Sequence, residues 1–153
     1  GTTGYNTKFT GIVATKSSGS DGTDAVFTGD TDGSDNWEYV KRIDPEGSAD
    51  AAANYPAFNF AATYGTTANL TDELAEGWYM PSIYELCELY KNKETLNASL
   101  TKCNGDQFRS SYYWSSSQSS NDSYAWYLGF GTGTLEYLYS KGSNRVVCCI
   151  RQF

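Results

Sequence analysis

The residues able to do chemistry in this chain are few, and their spacing narrows what they can do. Its four thiols are Cys87, Cys103, Cys148 and Cys149, and no C-x-x-C pair of the zinc-binding kind occurs among them. Cys148 and Cys149 are vicinal. A reactive thiolate there needs a helix N-terminus or cationic neighbours, and only Arg145 and Arg151 lie near in sequence. There is no His, which removes the commonest general base and the commonest metal ligand. Asp30, Asp32 and Asp35 offer oxygen ligands around Gly33, but not at the spacing of an EF-hand. Runs of Gly, Asp and Ser of this kind are ordinarily solvated turns. No catalytic residue, metal ligand or cofactor is therefore assigned.

What the chain carries in quantity is the chemistry of recognition. Eight of the fourteen residues from 110 to 123 are Ser. The stretch from 124 to 144 adds Tyr, Gly, Thr and Asn, with Glu136 and Lys141 as its two charges. Tyr and Trp supply large contact area at low entropy cost, and Ser, Gly and Asn supply adaptable hydrogen bonds. Surfaces that recognise other macromolecules use this palette.

Composition limits the partners. The 153 residues predict one domain, 1–153, with a proper core. A net charge of −7 without a basic stripe argues against nucleic acid. Apolar runs are too short to span a bilayer, so membrane attachment is expected only through an anchor segment outside this chain. Gly1 in place of an initiator Met suggests a processed or truncated product whose targeting segment is gone.

The elements that must position these residues divide at two points. Residues 1–44 read as N-terminal strands and loops. Candidate strands are 9–14, 25–27 and 37–40, and the loops are 17–24 and 29–36. Residues 49–64 show helical spacing, with the regular helix starting close to Tyr55 because Pro56 fits only a first turn. Ser82 and Glu85 form a capping box, followed by an apolar stripe at Ile83, Leu86, Cys87 and Tyr90. A second helix fits 94–102, with Leu96, Leu100 and Cys103 on one face, which turns Cys87 and Cys103 inward. Asn104-Gly105 closes it. From Phe108 the period becomes two, with strands starting at Tyr112 and spanning 125–130, 135–139 and 145–152. On the last of these, Val146, Cys148 and Ile150 share one face and Val147, Cys149 and Arg151 the other. Trp78, Trp114 and Trp126 are expected to share the core with Leu86. Helices followed by a strand-rich half predict the α+β class.

Three stretches together resemble a known family. They are Gly77-Trp78-Tyr79-Met80-Pro81-Ser82-Ile83-Tyr84-Glu85-Leu86, then Tyr112-Tyr113-Trp114-Ser115-Ser116-Ser117-Gln118, then the terminal RVVCCIRQF that begins at Arg145. They resemble the C-type-lectin-like domains of the formylglycine-generating-enzyme-like kind, and in particular the variable proteins of diversity-generating retroelements. The resemblance covers about residues 45–153. It implies a C-type-lectin-like fold, two helices packed on short twisted antiparallel sheets, with 104–153 as the variable, ligand-binding region.

The resemblance also implies diversification by adenine-specific mutagenesis, commonly at AAC codons. Those codons yield Tyr, Ser, Asn, Asp, Gly, Thr and Leu, but not Glu, Lys, Gln, Trp or Met. Tyr127, Gly129, Gly131, Thr132, Thr134, Tyr137, Leu138, Tyr139, Ser140, Gly142, Ser143 and Asn144 are permitted outcomes. Ala125, Trp126, Leu128, Phe130, Gly133, Leu135 and Lys141 then form the fixed scaffold, and Glu136 departs from the rule. The expected ligand-binding set adds Ser119, Ser120, Asn121 and Tyr124. Tyr124, Tyr127, Tyr137 and Tyr139 are its expected anchors, because aromatic residues dominate such interfaces.

The expected function is a non-catalytic display domain. Its partner is a protein or glycan ligand on another cell or a phage host, met at a bacterial cell surface, extracellularly or on a phage. A fixed-specificity adhesin or glycan-binding domain is the alternative. A formylglycine-generating oxidase shares the architecture but uses a reactive Cys pair and copper, which vicinal Cys148 and Cys149 suit poorly. Calcium-dependent lectins use E-P-N or Q-P-D with W-N-D, and neither pattern occurs. A Cys87–Cys148 disulfide, helix to last strand, is the first guess among the possible pairings.

Overall fold

A computed structural model describes residues 2–4, 31–119 and 124–153. In chain order its elements are β1 (Thr2–Gly4), α1 (Asn36–Ile43), α2 (Pro45–Ala49), α3 (Ala51–Asn54), α4 (Pro56–Ala62), α5 (Tyr64–Thr67), a 3-10 turn (Asp72–Ala75) and β2 (Trp78–Tyr79). Then come α6 (Ile83–Lys91), α7 (Lys93–Lys102), β3 (Tyr112–Gln118), β4 (Tyr124–Gly129), β5 (Leu135–Ser140), β6 (Arg145–Val147) and β7 (Ile150–Arg151). The fold is α+β, as expected. The strands read at 9–14 and 25–27 lie outside the described residues.

The first half is more helical than its residue types suggest. The strand expected at 37–40 is α1. Trp, Tyr and Val favour strands locally, but Glu38 in the first turn and Lys41 and Arg42 in the last complement the helix dipole. Helical spacing then sends Val40 into the core and stacks Trp37 on Phe58 at 5.4 Å between ring centroids. The helical stretch read over 49–64 is divided into short helices, and its regular part starts after Tyr55, as Pro56 requires. The Asp44 side chain accepts from Gly47 N at 3.0 Å, with Pro45 opening α2, and Asp50 caps α3. Pro56 opens α4, since a proline cannot donate to the turn before it. The second Asp44 oxygen accepts from the Tyr55 hydroxyl at 2.6 Å and ties α2 to the start of α4.

The α6 start is the capping box read from the sequence. Ser82 Oγ accepts from Glu85 N at 3.2 Å, and Glu85 Oε2 accepts from Ser82 N at 2.8 Å. The same carboxylate accepts from Gly33 N at 2.9 Å and from the Tyr79 hydroxyl at 2.9 Å. Glu85 thus joins the loop before α1, β2 and α6. Gly33 must be glycine here, because a Cβ would stand 2.5 Å from Met80 O. Helix α7 ends in a Schellman motif. Asn104 takes φ 54°, Gly105 N donates to Leu100 O at 2.8 Å, and Asn104 N donates to Thr101 O at 3.2 Å. Cys103 is the C-cap of that helix and is exposed rather than inward-facing, because the turn carries it past the buried face.

The strands form a five-stranded sheet in the order β1-β6-β3-β4-β5 and a two-stranded sheet of β2 with β7. Every pair is antiparallel except β3 with β6, a parallel contact absent from the antiparallel expectation. The single strand read over 145–152 splits into β6 and β7, one in each sheet, with Cys148-Cys149 at the crossing. The predicted alternation nevertheless holds. Val146 and Cys148 join one core cluster with Leu86, Tyr113, Leu128 and Phe130. Val147 and Cys149 pack with the other, built from Val40, Tyr55, Phe58, Met80, Trp114 and Tyr127. Both faces of the sheet are therefore covered near its centre. Of the three tryptophans expected around Leu86, Trp114 alone is fully buried, and it sits in the opposite cluster. Trp78 packs on Tyr64 and Trp126 on Tyr137, each half-buried.

Ser115, Ser116 and Ser117 are buried within β3. Small hydroxyls let the strand approach α6 and α1 closely and satisfy polar groups there. Ser117 Oγ accepts from Ile83 N at 2.8 Å, one of the N–H groups a helix start leaves without an intrahelical partner. Ser116 N donates to Pro81 O at 2.8 Å, and Ser116 Oγ accepts from Asn36 Nδ2 at 2.6 Å. Ser115 Oγ donates to Trp126 O at 2.7 Å. The three family-like motifs thus meet in space: β2 pairs β7, β3 pairs β6, and the serines bind the α6 start.

Candidate ligand-binding face

Strand β5 is the sheet edge among the described residues, and all six of its residues are exposed. Leu135, Tyr137, Leu138 and Tyr139 present large apolar surface, with Leu138 the most open at 61%. A bulge sets their directions. Ala125 faces Tyr139 and Tyr127 faces Glu136, so the β5 side of that interval holds one residue more. Glu136 and Tyr139 are consequently both directed to the Tyr127 side. Tyr137 turns to the other side and meets Trp126 at 4.8 Å.

On the Tyr127 side the rings converge. Tyr127 contacts Tyr112 and Tyr139 edge-on, each at 5.6 Å, and Trp114 at 5.9 Å. The Arg145 guanidinium lies 3.8 Å from the Tyr139 ring centre and 5.4 Å from those of Tyr112 and Tyr127. The Tyr127 hydroxyl donates to Glu136 Oε2. Burial and that carboxylate push the Tyr127 phenol well above its usual range, so it remains a donor.

The expected site residues divide by position. Gly131, Thr132, Thr134, Tyr137, Leu138, Tyr139, Ser140, Gly142 and Asn144 are exposed on β5 or its flanking turns. Ser143 and Tyr124 are half-buried. Ser120 and Asn121 lie outside the described residues. Three expectations are corrected. Tyr127 is 3% exposed, because the Tyr112 and Tyr139 rings and the Trp114 cluster close over it, so it supports the face rather than anchoring a ligand. Gly129 is buried, and a Cβ there would stand 3.1 Å from the Tyr112 ring. Ser119 is fully buried at the end of β3. Leu135, assigned to the scaffold, is 45% exposed, while scaffold Lys141 is 2% exposed.

Sequence reasoning missed Tyr112 and Arg145. Tyr112 is 46% exposed and lines a notch of about 220 Å³ with Ser110, Ser111, Gly129, Gly131 and Thr132. The signal available was period two: Tyr112 shares a face with Trp114 and so with its β4 partner Tyr127.

All four cysteines are free, so the Cys87–Cys148 bridge is not formed. Both side chains belong to the apolar cluster around Leu86 and act there as packing. Burial pushes the Cys148 thiol far up and Cys149 up to about 12. Burial thus keeps both protonated at neutral pH, which disfavours a nucleophilic role. They line an apolar cavity of about 510 Å³ with Phe60, Leu96 and Phe108. In the acidic loop, Asp32 accepts from Ser34 N at 2.8 Å, a turn built from its own chain. Among the described residues no helix is long and apolar enough to cross a membrane.

No curated protein matches the chain. A solved structure of a fimbrial protein from Bacteroides ovatus shares the fold, with a TM-score of 0.63 at 17% identity. The likeness covers 95% of this chain but 33% of that protein, so this chain spans about a third of its length. The family described as the Lcl C-terminal domain matches residues 20–151. This match takes in the first two motif stretches, the third as far as Arg151, and both sheets beyond β1. The chain therefore belongs to the Lcl C-terminal domain family, the C-type-lectin-like domain type of the retroelement variable proteins that its motifs resemble.

Proposed function

We propose that this chain is a non-catalytic display domain whose β5 strand and flanking turns bind macromolecular ligands and are diversified by a retroelement. One observation carries this reading. Nine of the permitted residue identities between 131 and 144 fall on exposed positions, while Ala125, Leu128, Phe130 and Lys141 of the expected scaffold are buried. Glu136, which the adenine rule does not allow, is the hydrogen-bond partner of buried Tyr127 and so has a structural reason to stay fixed.

Family and fold support display at a bacterial cell surface. The expected partner is a protein or glycan on another cell or a phage host. A single protein interface needs roughly 800 Å² on each side. A fixed-specificity adhesin is the second reading, favoured by the fold shared with a fimbrial protein.

The test is a displayed library randomised at Thr132, Thr134, Tyr137, Leu138, Tyr139 and Asn144 and selected against two unrelated soluble proteins. Distinct folded binders to each are expected, with Tm within a few degrees of the parent. Widespread unfolding of the library, or folded members that bind neither target, would defeat the proposal.

A further inference from the structure

Arg145 is an unusual cation in an acidic chain. It is half-buried beside the exposed β5 strand, enclosed by Tyr112, Trp114, Tyr127 and Tyr139 with ring centres 3.8–5.9 Å from its guanidinium carbon. The rings hold the guanidinium plane by cation–π attraction and strip water from it. Its edge is a different matter. Nη1 donates to Asn144 O at 2.8 Å, and Nε is buried without an acceptor. Among the described residues no carboxylate lies within ion-pair distance, because Glu136 bonds to the Tyr127 hydroxyl instead. A guanidinium carries five N–H donors in a planar fork. This one is fixed in place, partly dehydrated and mostly without internal acceptors.

We propose that Arg145 is the fixed centre of this face and takes a carboxylate of the bound ligand on its terminal Nη groups, the Nε edge being buried. The inference rests on the β5 side of the sheet being the ligand-binding face, and it adds the chemical class of the ligand. Carboxylate and guanidinium match as a bidentate pair. The stacked rings remove much of the entropy cost of ordering the arginine. Variable residues around it then select the bearer of the carboxylate, while the anchor remains constant. Carboxylates occur both on acidic sugars and on Asp or Glu side chains of proteins, so the source is read by experiment.

Nitrogen-15 spectra of the whole chain, titrated with acetate at constant ionic strength against chloride, test the anchor. A saturable shift of the Arg145 side-chain signals is expected, accompanied by the Trp114 indole N–H, which lies beside the cage. In Arg145→Met the Trp114 response to acetate should disappear, and Arg145→Lys should recover part of it. If Arg145→Met unfolds, Tyr139→Ser serves instead, and should weaken acetate binding several-fold. A wild-type response no larger than that to chloride overturns the inference, as does a Met variant that responds like wild type. Sialyllactose against lactose, and a Glu-rich peptide against its Gln counterpart, then separate the sources. Preference for either charged probe supports the proposal and names its source. Equal binding by charged and neutral probes in both pairs refutes it. Such a failure would leave the display function intact, since library selection tests β5 with Arg145 unchanged.

Discussion

Trp114→Ala is expected to lower stability by about 3–5 kcal/mol, as large aromatic truncations in packed cores do. That is a fall in Tm of roughly 6–20 °C for a domain of this size. The reasons are local. Trp114 is fully buried, packs with Val40, Tyr55, Phe58 and Met80, contacts Tyr127, and donates from Nε1 to Ser143 O at 3.2 Å. The ring therefore fixes the turn after β5 as well as the core. The triple change Tyr137→Ser, Leu138→Ser and Tyr139→Ser removes more apolar surface, yet each site is 41–61% exposed. Its cost should stay near 1 kcal/mol, the ordinary range for surface substitutions. Thermal unfolding of the two variants separates scaffold from face. A triple variant as unstable as Trp114→Ala would mean that β5 is packing surface and not a free one.

Glu85→Ala is the second large effect, about 3 kcal/mol. One half-buried carboxylate accepts from Ser82 N, Gly33 N and the Tyr79 hydroxyl. Burial first, and then the Glu85 carboxylate beside it, push the Tyr79 phenol up, so this hydroxyl stays a donor across the physiological range. Removing the carboxylate strips acceptors from three donors at once, two of them main-chain. It also undoes the capping box, itself worth about 1 kcal/mol. Glu85→Gln keeps one carbonyl acceptor and should recover part of the loss. Denaturant unfolding measures both, and equal stability of Glu85→Ala and the parent would show that these contacts contribute nothing.

The legible parts of the fold are those whose signals are local. The capping box at Ser82 and Glu85, the Asn104-Gly105 helix stop and the alternation through Val146 to Cys149 each depend on neighbours a few residues away. The helical run from 36 to 67 was less legible. Its breaks at Asp44 and Asp50 are cap positions that the helical spacing does not mark, whereas the proline marks the start of α4 at Pro56.

The site shows the same division. Period two puts Tyr127 and Leu128 on opposite faces of β4, and nothing in the local sequence marks the Tyr127 face as covered. The Trp114, Tyr112 and Tyr139 rings cover that face, so Tyr127 is internal. The β5 bulge, which sends Tyr137 and Tyr139 to opposite sides, depends on pairing register and has no mark in the β5 sequence. The serine run is hard to read for a related reason. Polar composition suggests a loop, whereas Ser115 to Ser117 are buried hydroxyls serving the α6 start and β4.

The most direct measurement is the sequence of the native locus downstream of this gene. The account predicts a near-copy of the codons for Trp114 to Phe153 beside a reverse transcriptase gene, differing only where the copy has adenine. The differing codons should gather between Gly131 and Asn144 and spare Trp114, Leu128, Phe130 and Arg145. Absence of such a copy, or differences at the codons for those four residues, would contradict it.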